Sequence, residues 1–238
     1  MKTIGIIGGL SWVSSVDYYR IINEQVNQRI GGVDAARIIL YSINYGDIVR
    51  LTRQDDWATI TTIFCDAAKK LEMAGADCLL LGANTAHRVA SEVQAAIKIP
   101  LLHISDVTAK AIEEKKLNTV ALLGTKFTME LDFYHDILRN HGIATIIPGD
   151  ADRDFIHATI YDELGKNVFL PETKQRYLEI INHLIKEGAQ GVILGCTEIP
   201  LLIKPEDVSV PVFDTAEIHA KAAVEFCLEA VSSIRYKV

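Results

Sequence analysis

Four cysteines, none in a CxxC pair, confine the thiol chemistry of this chain to groups acting singly. Cys196 is the one best placed to react. It closes the apolar run Val192-Ile193-Leu194-Gly195 and is followed by Thr197-Glu198, where the chain must turn out of a sheet and expose backbone N–H groups. Amide dipoles at such a turn stabilise a thiolate and a ligand carboxylate alike. The alternative is a core thiol, the ordinary fate of a free cysteine. That is the reading for Cys65, Cys78 and Cys227, which fall within strand or helix patterns.

An internal repeat locates the counterpart of Cys196. Gly75-Ala-Asp-Cys-Leu-Leu-Leu-Gly-Ala83 matches Gly188-Ala-Gln-Gly-Val-Ile-Leu-Gly-Cys196 position for position, which sets Ala83 opposite Cys196 in the repeat. A methyl group can neither give nor take a proton. Around it, Asn84 and Thr85 are able to bind carboxylate oxygens or simply to make a turn. His87 is able to orient or titrate, or to serve as a hydrogen-bonded structural imidazole. Thr125 and Thr128 follow the run Val120-Ala-Leu-Leu-Gly124 and precede a helix expected from Met129, positions that suit an N-cap or a ligand contact. Ser11 follows Gly8-Gly9, where glycine permits close approach of backbone to a ligand or an ordinary strand-to-helix turn. Arg50, Arg53 and Lys166 are the cations available to a dianionic ligand, or else solvated surface charges.

The elements that must position these residues alternate. Apolar runs near 3–8, 37–43, 77–82, 100–104, 119–124, 144–147, 191–195 and 210–213 read as strands, and helical periodicity lies between them: Trp57, Ile60, Phe64, Ala67, Ala68, Leu71, and later Tyr177, Ile180, Ile181, Leu184. Alternation of this kind gives an α/β fold of mostly parallel sheet flanked by helices, and the repeat divides it into two lobes that are copies of one unit. The expected lobes are 1–104 plus 212–238, and 105–211. Ligands in such sheets bind beyond the carboxyl ends of the strands, so the site is expected in the cleft between the copies.

Composition narrows the partners. The formal charge is −7 and the basic residues are dispersed, which argues against nucleic acid. No run approaches a membrane span and no cleavable signal pattern opens the chain, so a cytoplasmic protein without membrane association is expected. Gly5-x-x-Gly8-Gly9 departs from the dinucleotide fingerprint, there is no phosphate-binding Walker sequence, and the histidines show no metal-ligand spacing. No cofactor and no metal are expected.

Taken together, Ile4-Gly-Ile-Ile-Gly-Gly-Leu-Ser-Trp12, Asn84-Thr-Ala-His87, Leu122-Leu-Gly-Thr-Lys-Phe-Thr-Met129, Phe133-Tyr134 and Gly195-Cys-Thr-Glu-Ile199 closely resemble the aspartate/glutamate racemase family, over nearly the whole length. The resemblance implies two pseudo-symmetric Rossmann-like lobes, PLP-independent racemisation of a small acidic amino acid, a homodimer, and a cleft site with one cysteine from each lobe. Cys196 matches the second; the first is replaced by Ala83. Substrate contacts implied with it are Ser11, Arg53, Asn84, Thr85, Thr125, Thr128, Lys166, Thr197 and Glu198, with His87 as an auxiliary group. Racemisation by two bases needs a donor and an acceptor on opposite faces of the α-carbon. Ala83 therefore leaves two alternatives open: a one-cysteine decarboxylase or isomerase of the same superfamily, or an inactive variant, natural or engineered, that only binds the amino acid.

Overall fold

The computed structural model describes residues 1–232. The chain forms two compact units, Met1–His103 together with the chain from His219, and Ile104–Ile218. In the first unit the order is β1 (Thr3–Gly8), α1 (Trp12–Ile30), β2 (Arg37–Ser42), α2 (Tyr45–Arg53), α3 (Trp57–Met73), β3 (Cys78–Leu81), a 3-10 turn (Thr85–Val89) and α4 (Ala90–Ala96). The strands pair in parallel in the order β2-β1-β3. Ile4, Ile6, Ile7 and the whole of β3 are buried, as expected of strands covered on both faces. On one face lies α3. Its Asp56 N-cap accepts from the Thr59 amide at 3.0 Å, and Ile60, Phe64, Ala67, Ala68 and Leu71 form a single apolar stripe against Ile7, Leu79 and Leu81. Burial of each large side chain in that stripe contributes about 1.5–3 kcal/mol.

The second unit runs α5 (Ile104–Glu114), β4 (Thr119–Gly124), α6 (Lys126–Glu130), α7 (Asp132–Asn140), β5 (Ala144–Ile146), α8 (Asp150–Asp162), a 3-10 turn (Leu164–Lys166), α9 (Pro171–Lys186), β6 (Val192–Gly195), α10 (Ile199–Leu202), a 3-10 turn (Pro205–Asp207) and β7 (Val212–Asp214). Its parallel order is β5-β4-β6-β7. Tyr177, Ile180, Ile181 and Leu184 of α9 pack with Ala121, Leu123, Val192 and Leu194. Pro171 starts α9 at a position where its missing N–H costs nothing.

Equivalent strands hold equivalent places: β1 and β4 are central, β2 and β5 are edges, and β3 and β6 carry the repeated segment. Even the fourth position is matched, because Leu101 bridges Leu79 in parallel as Val212 pairs with Val192. The expected strand at 100–104 shrinks to that bridge. Pro100 has no N–H to give a ladder, and α5 begins at Ile104.

Each fourth strand is followed by a helix that packs in the other unit. After Leu101, α5 buries Ile104, Ala109 and Ile112 against Val120, Leu122 and Tyr134 of the second unit. After β7, α11 (Thr215–Ser232) enters the first, where the Lys2 amide donates to the Cys227 carbonyl at 3.1 Å. The return crossing therefore falls between Ile218 and His219 and not at the expected 212, since β7 completes the second sheet through its pairing with β6.

Candidate active site

Cys196 sits one residue past β6, in a turn closed by the Ile199 amide donating to the Cys196 carbonyl at 3.2 Å. The turn brings Glu198 back onto the sulfur. The Cys196 thiol donates to Glu198 Oε2 at 3.0 Å, and the Thr197 hydroxyl donates to the same oxygen at 2.8 Å. All three side chains are buried. Burial pushes the Cys196 thiol well up, and the neighbouring Glu198 carboxylate pushes it further; amides of Glu198 and Ile199 hydrogen-bond the sulfur and pull the other way. The group is therefore a protonated thiol beside a proton acceptor.

The neighbouring corner belongs to β4. Gly124 pairs with Gly195, and a Cβ on Gly124 would stand 2.7 Å from the Gly195 carbonyl, so the two strand ends can lie this close only because both residues are glycine. Thr125 caps α6 there: its hydroxyl accepts from the Thr128 amide at 3.4 Å and lies 3.3 Å from the Thr128 hydroxyl. The helix starts at Lys126, earlier than the expected Met129, because Thr125 already supplies the cap. Thr128 is fully buried, with its side chain packed over Gly124 and Gly195.

In the first unit the corresponding corner follows β1. Gly9, at φ +77°, passes so near Ile43 that a Cβ would stand 2.1 Å from the Ile43 carbonyl. Ser11 then takes φ +72°, a conformation L residues avoid. Ser15 holds this corner by accepting from the Gly9 amide at 2.7 Å and donating to the Ser11 carbonyl at 3.2 Å; Ser14 donates to the same carbonyl at 3.0 Å. Although Ser11 stands at the N-cap of α1, its hydroxyl makes no cap bond, and Ser11 Oγ is buried with no hydrogen-bond partner. A strained backbone carrying an orphaned hydroxyl next to a helix N-terminus is an arrangement suited to an anionic ligand.

Ala83 lies just past β3, half-buried, beside the β1 corner: the Gly82 amide donates to the Ile7 carbonyl at 2.9 Å. Asn84 is buried, Thr85 is half-buried and opens the 3-10 turn, and the His87 amide donates to the Asn84 carbonyl at 3.0 Å. His87 Nδ1 lies 3.0 Å from the Ala83 carbonyl and must carry the proton to bond it. Its ring stands among two others, with centroids 4.6 Å from His103 and 5.6 Å from His219. His219 Nε2 donates to the Leu102 carbonyl at 2.7 Å, which leaves Nδ1 as acceptor for the Tyr18 hydroxyl at 2.8 Å. Burial holds His219 down to about 3 and His87 well below the ordinary imidazole range, so both rings are neutral struts behind the 83–87 turn. Distance in sequence hid this cluster: Tyr18, His103 and His219 share no motif with Asn84-Thr-Ala-His87.

The cations are less committed to the site. Arg50 is paired with Asp47, Arg53 is exposed at the end of α2, and Lys166 is exposed and 3.5 Å from Asp162. Lys166 belongs to the 3-10 turn that packs on α10, next to the Cys196 turn. Among the described residues no group of three or more His, Cys, Asp or Glu side chains could hold a metal ion.

The sequence profile described as Asp/Glu/Hydantoin racemase matches residues 7–223. The broad specificity amino-acid racemase RacX of Bacillus subtilis is 26% identical over 227 residues, covering 93% of this chain and 96% of RacX. A Yersinia pestis protein provisionally assigned as an Asp/Glu racemase superposes with a TM-score of 0.90 at 43% identity, over 96% of this chain and all (100%) of that one. An aspartate racemase homologue from Pyrococcus horikoshii gives 0.83 at 37% identity, over 95% and 99%.

Proposed function

The chain belongs to the Asp/Glu/hydantoin racemase family, and from that premise we propose that it is a cytoplasmic, cofactor-independent racemase or racemase-like isomerase acting at the α-carbon of aspartate or glutamate. The observation that carries the reading is the buried Cys196 thiol donating to Glu198 at a strand end. Glu198 takes the thiol proton and the thiolate removes the α-proton of the amino acid; return of a proton from the thiol on that same face exchanges the α-proton without inversion, whereas inversion takes a proton from water on the opposite face, the hydroxide left behind being neutralised by the proton held on Glu198. Contacts to the substrate are assigned to Ser11, Asn84 and Thr85 in the first unit and to Thr125 and Thr197 in the second. Arg53 and Lys166 supply positive charge for a dianion.

Ala83 shapes the outcome. Acid–base catalysis is typically worth about 10²–10⁴-fold, and with a methyl group in place of a second thiol that contribution is missing on one face. Racemisation is therefore slow, and Ala83→Cys raises it at least about tenfold. Chiral analysis of L- and D-aspartate and of L- and D-glutamate after incubation with the two proteins tests this; unchanged optical purity in both sinks the reading. The same Ala83 supports a second reading, a one-thiol decarboxylase in which Cys196 protonates a planar enolate from one face. Its mark is CO₂ release from a disubstituted malonate with an enantiomerically enriched product, and no turnover on such compounds removes it.

A further inference from the structure

Arg88 carries a charge that the fold shelters and does not neutralise. Among the described residues the other arginines either pair with an acid, as Arg20, Arg50, Arg153 and Arg176 do, or lie exposed, as Arg37 and Arg53 do. Arg88 does neither. It is half-buried, it makes no ion pair or side-chain hydrogen bond among those residues, and its Cζ stands 4.0 Å over the centre of the Trp57 ring. Glu92, four residues on, is exposed and unpaired with it. Taking a guanidinium out of water is costly unless something meets its charge. The indole face does so in part, but it offers no oxygen to the fork of five N–H donors.

The stacked pair stands at the end of the first sheet where β1 and β3 finish. Met73 closes α3 just before β3 begins, and the Ala76 amide still donates to the Leu71 carbonyl, whereas Trp57 opens the helix about 24 Å farther up its axis. Trp57 and Ala83 accordingly pack on the same apolar cluster, the one that includes Ala86 and Val89. Arg88 reaches the indole from the 3-10 turn Thr85–Val89, in which side chains three apart eclipse, so it follows Thr85 on one face at about 6 Å along the axis. Thr85 is an assigned substrate contact. On a chain of net charge −7 a dicarboxylate is repelled by the general field, and a sheltered cation beside that contact offsets the repulsion locally. Its planar fork matches a carboxylate through two parallel hydrogen bonds, where a lysine would present only a point charge.

We propose that Arg88, on its Trp57 shelf, determines specificity by binding the side-chain carboxylate of aspartate or glutamate, and that it takes no part in proton transfer. The choice of amino acid rests on the racemase reading, and calorimetric titration of the full chain tests the assignment without needing turnover. The parent binds aspartate or glutamate at least about tenfold more tightly than asparagine, because only a dicarboxylate completes the fork. Arg88→Gln weakens the dicarboxylate at least about tenfold and moves asparagine less than about twofold, which erases the preference. Arg88→Lys keeps the charge without the fork and falls between the two. A residue that merely propped Trp57 would change both ligands together and lower the urea midpoint. The outcomes separate this assignment from the catalytic one: a parent that prefers aspartate through Arg88 but exchanges no α-proton ends the racemase reading alone, and an Arg88→Gln protein that binds aspartate as the parent does ends this one alone. Equal losses for aspartate and asparagine, a parent without the preference, or a preference erased by Arg53→Gln and kept in Arg88→Gln would each overturn it.

Discussion

A thiol that donates to a buried carboxylate is a weak nucleophile at rest and holds its proton tightly, which is the state of Cys196 beside Glu198. Replacing Glu198 by Gln keeps an acceptor near the sulfur and removes the like charge that opposes the thiolate. In Glu198→Gln, alkylation of Cys196 by iodoacetamide, followed by peptide mass spectrometry, sets in at lower pH than in the parent, while α-proton exchange drops by about 10²-fold for want of the acceptor. An unchanged alkylation profile would mean that Glu198 does not govern the thiol. The place of Cys196 just past a strand was legible in the sequence, because an apolar run ending in Gly-Cys-Thr-Glu announces a strand end. The contact between Glu198 and the sulfur was not. A separation of two residues says nothing about side-chain direction, and the turn at 196–199 folds the carboxylate back onto sulfur where the sequence suggested a substrate ligand.

Strand-to-helix corners are the elements that make the candidate site, and the β1 corner is the most constrained of them. Gly9→Ala would place a methyl group against the Ile43 carbonyl in a left-handed conformation, at a cost of at least about 2 kcal/mol read as a lowered urea midpoint with an unchanged slope. Stability equal to the parent's would show that the corner yields easily. Periodicity identified the central strands and the faces of α3 and α9, since apolar spacing directly records which side is buried. It overcounted at 100–104, where hydrophobicity is present but Pro100 has only a carbonyl to give, accepting from the Leu79 amide at 2.9 Å, and pairing stops at the Leu101 bridge. It also missed Ser15, whose task of holding the Gly9 amide and the Ser11 carbonyl depends on how tightly the corner closes.

Across the whole molecule, duplication was visible as a repeated segment and emerges as one strand order used twice. The helix that each unit receives from the other was invisible, because the repeat marks strands and not where the following helix packs. That exchange ends in histidines: His103 closes the first stretch of unit one and His219 opens its return, and both ring systems meet His87. His219 is held down to about 3, so between about pH 6.5 and that value the unfolded chain binds the proton and the folded one resists it. Stability from this group is complete above about pH 6.5 and drains as pH falls, by roughly 2 kcal/mol from pH 7 to 5, with His87 acting in the same direction. His141, raised by Glu113 and Asp106, opposes them but is mostly solvated. Urea unfolding at the two pH values should show the loss, and His219→Asn should flatten it; equal stability at both would contradict neutral buried rings. The proposed chemistry rests most directly on Cys196, and exchange of the α-proton in deuterated water, followed by NMR from each enantiomer of aspartate and glutamate, addresses it alone. Exchange by the parent protein that falls at least about 10²-fold in Cys196→Ala, with an unchanged fold, is the predicted result; exchange at the parent rate in Cys196→Ala would contradict it.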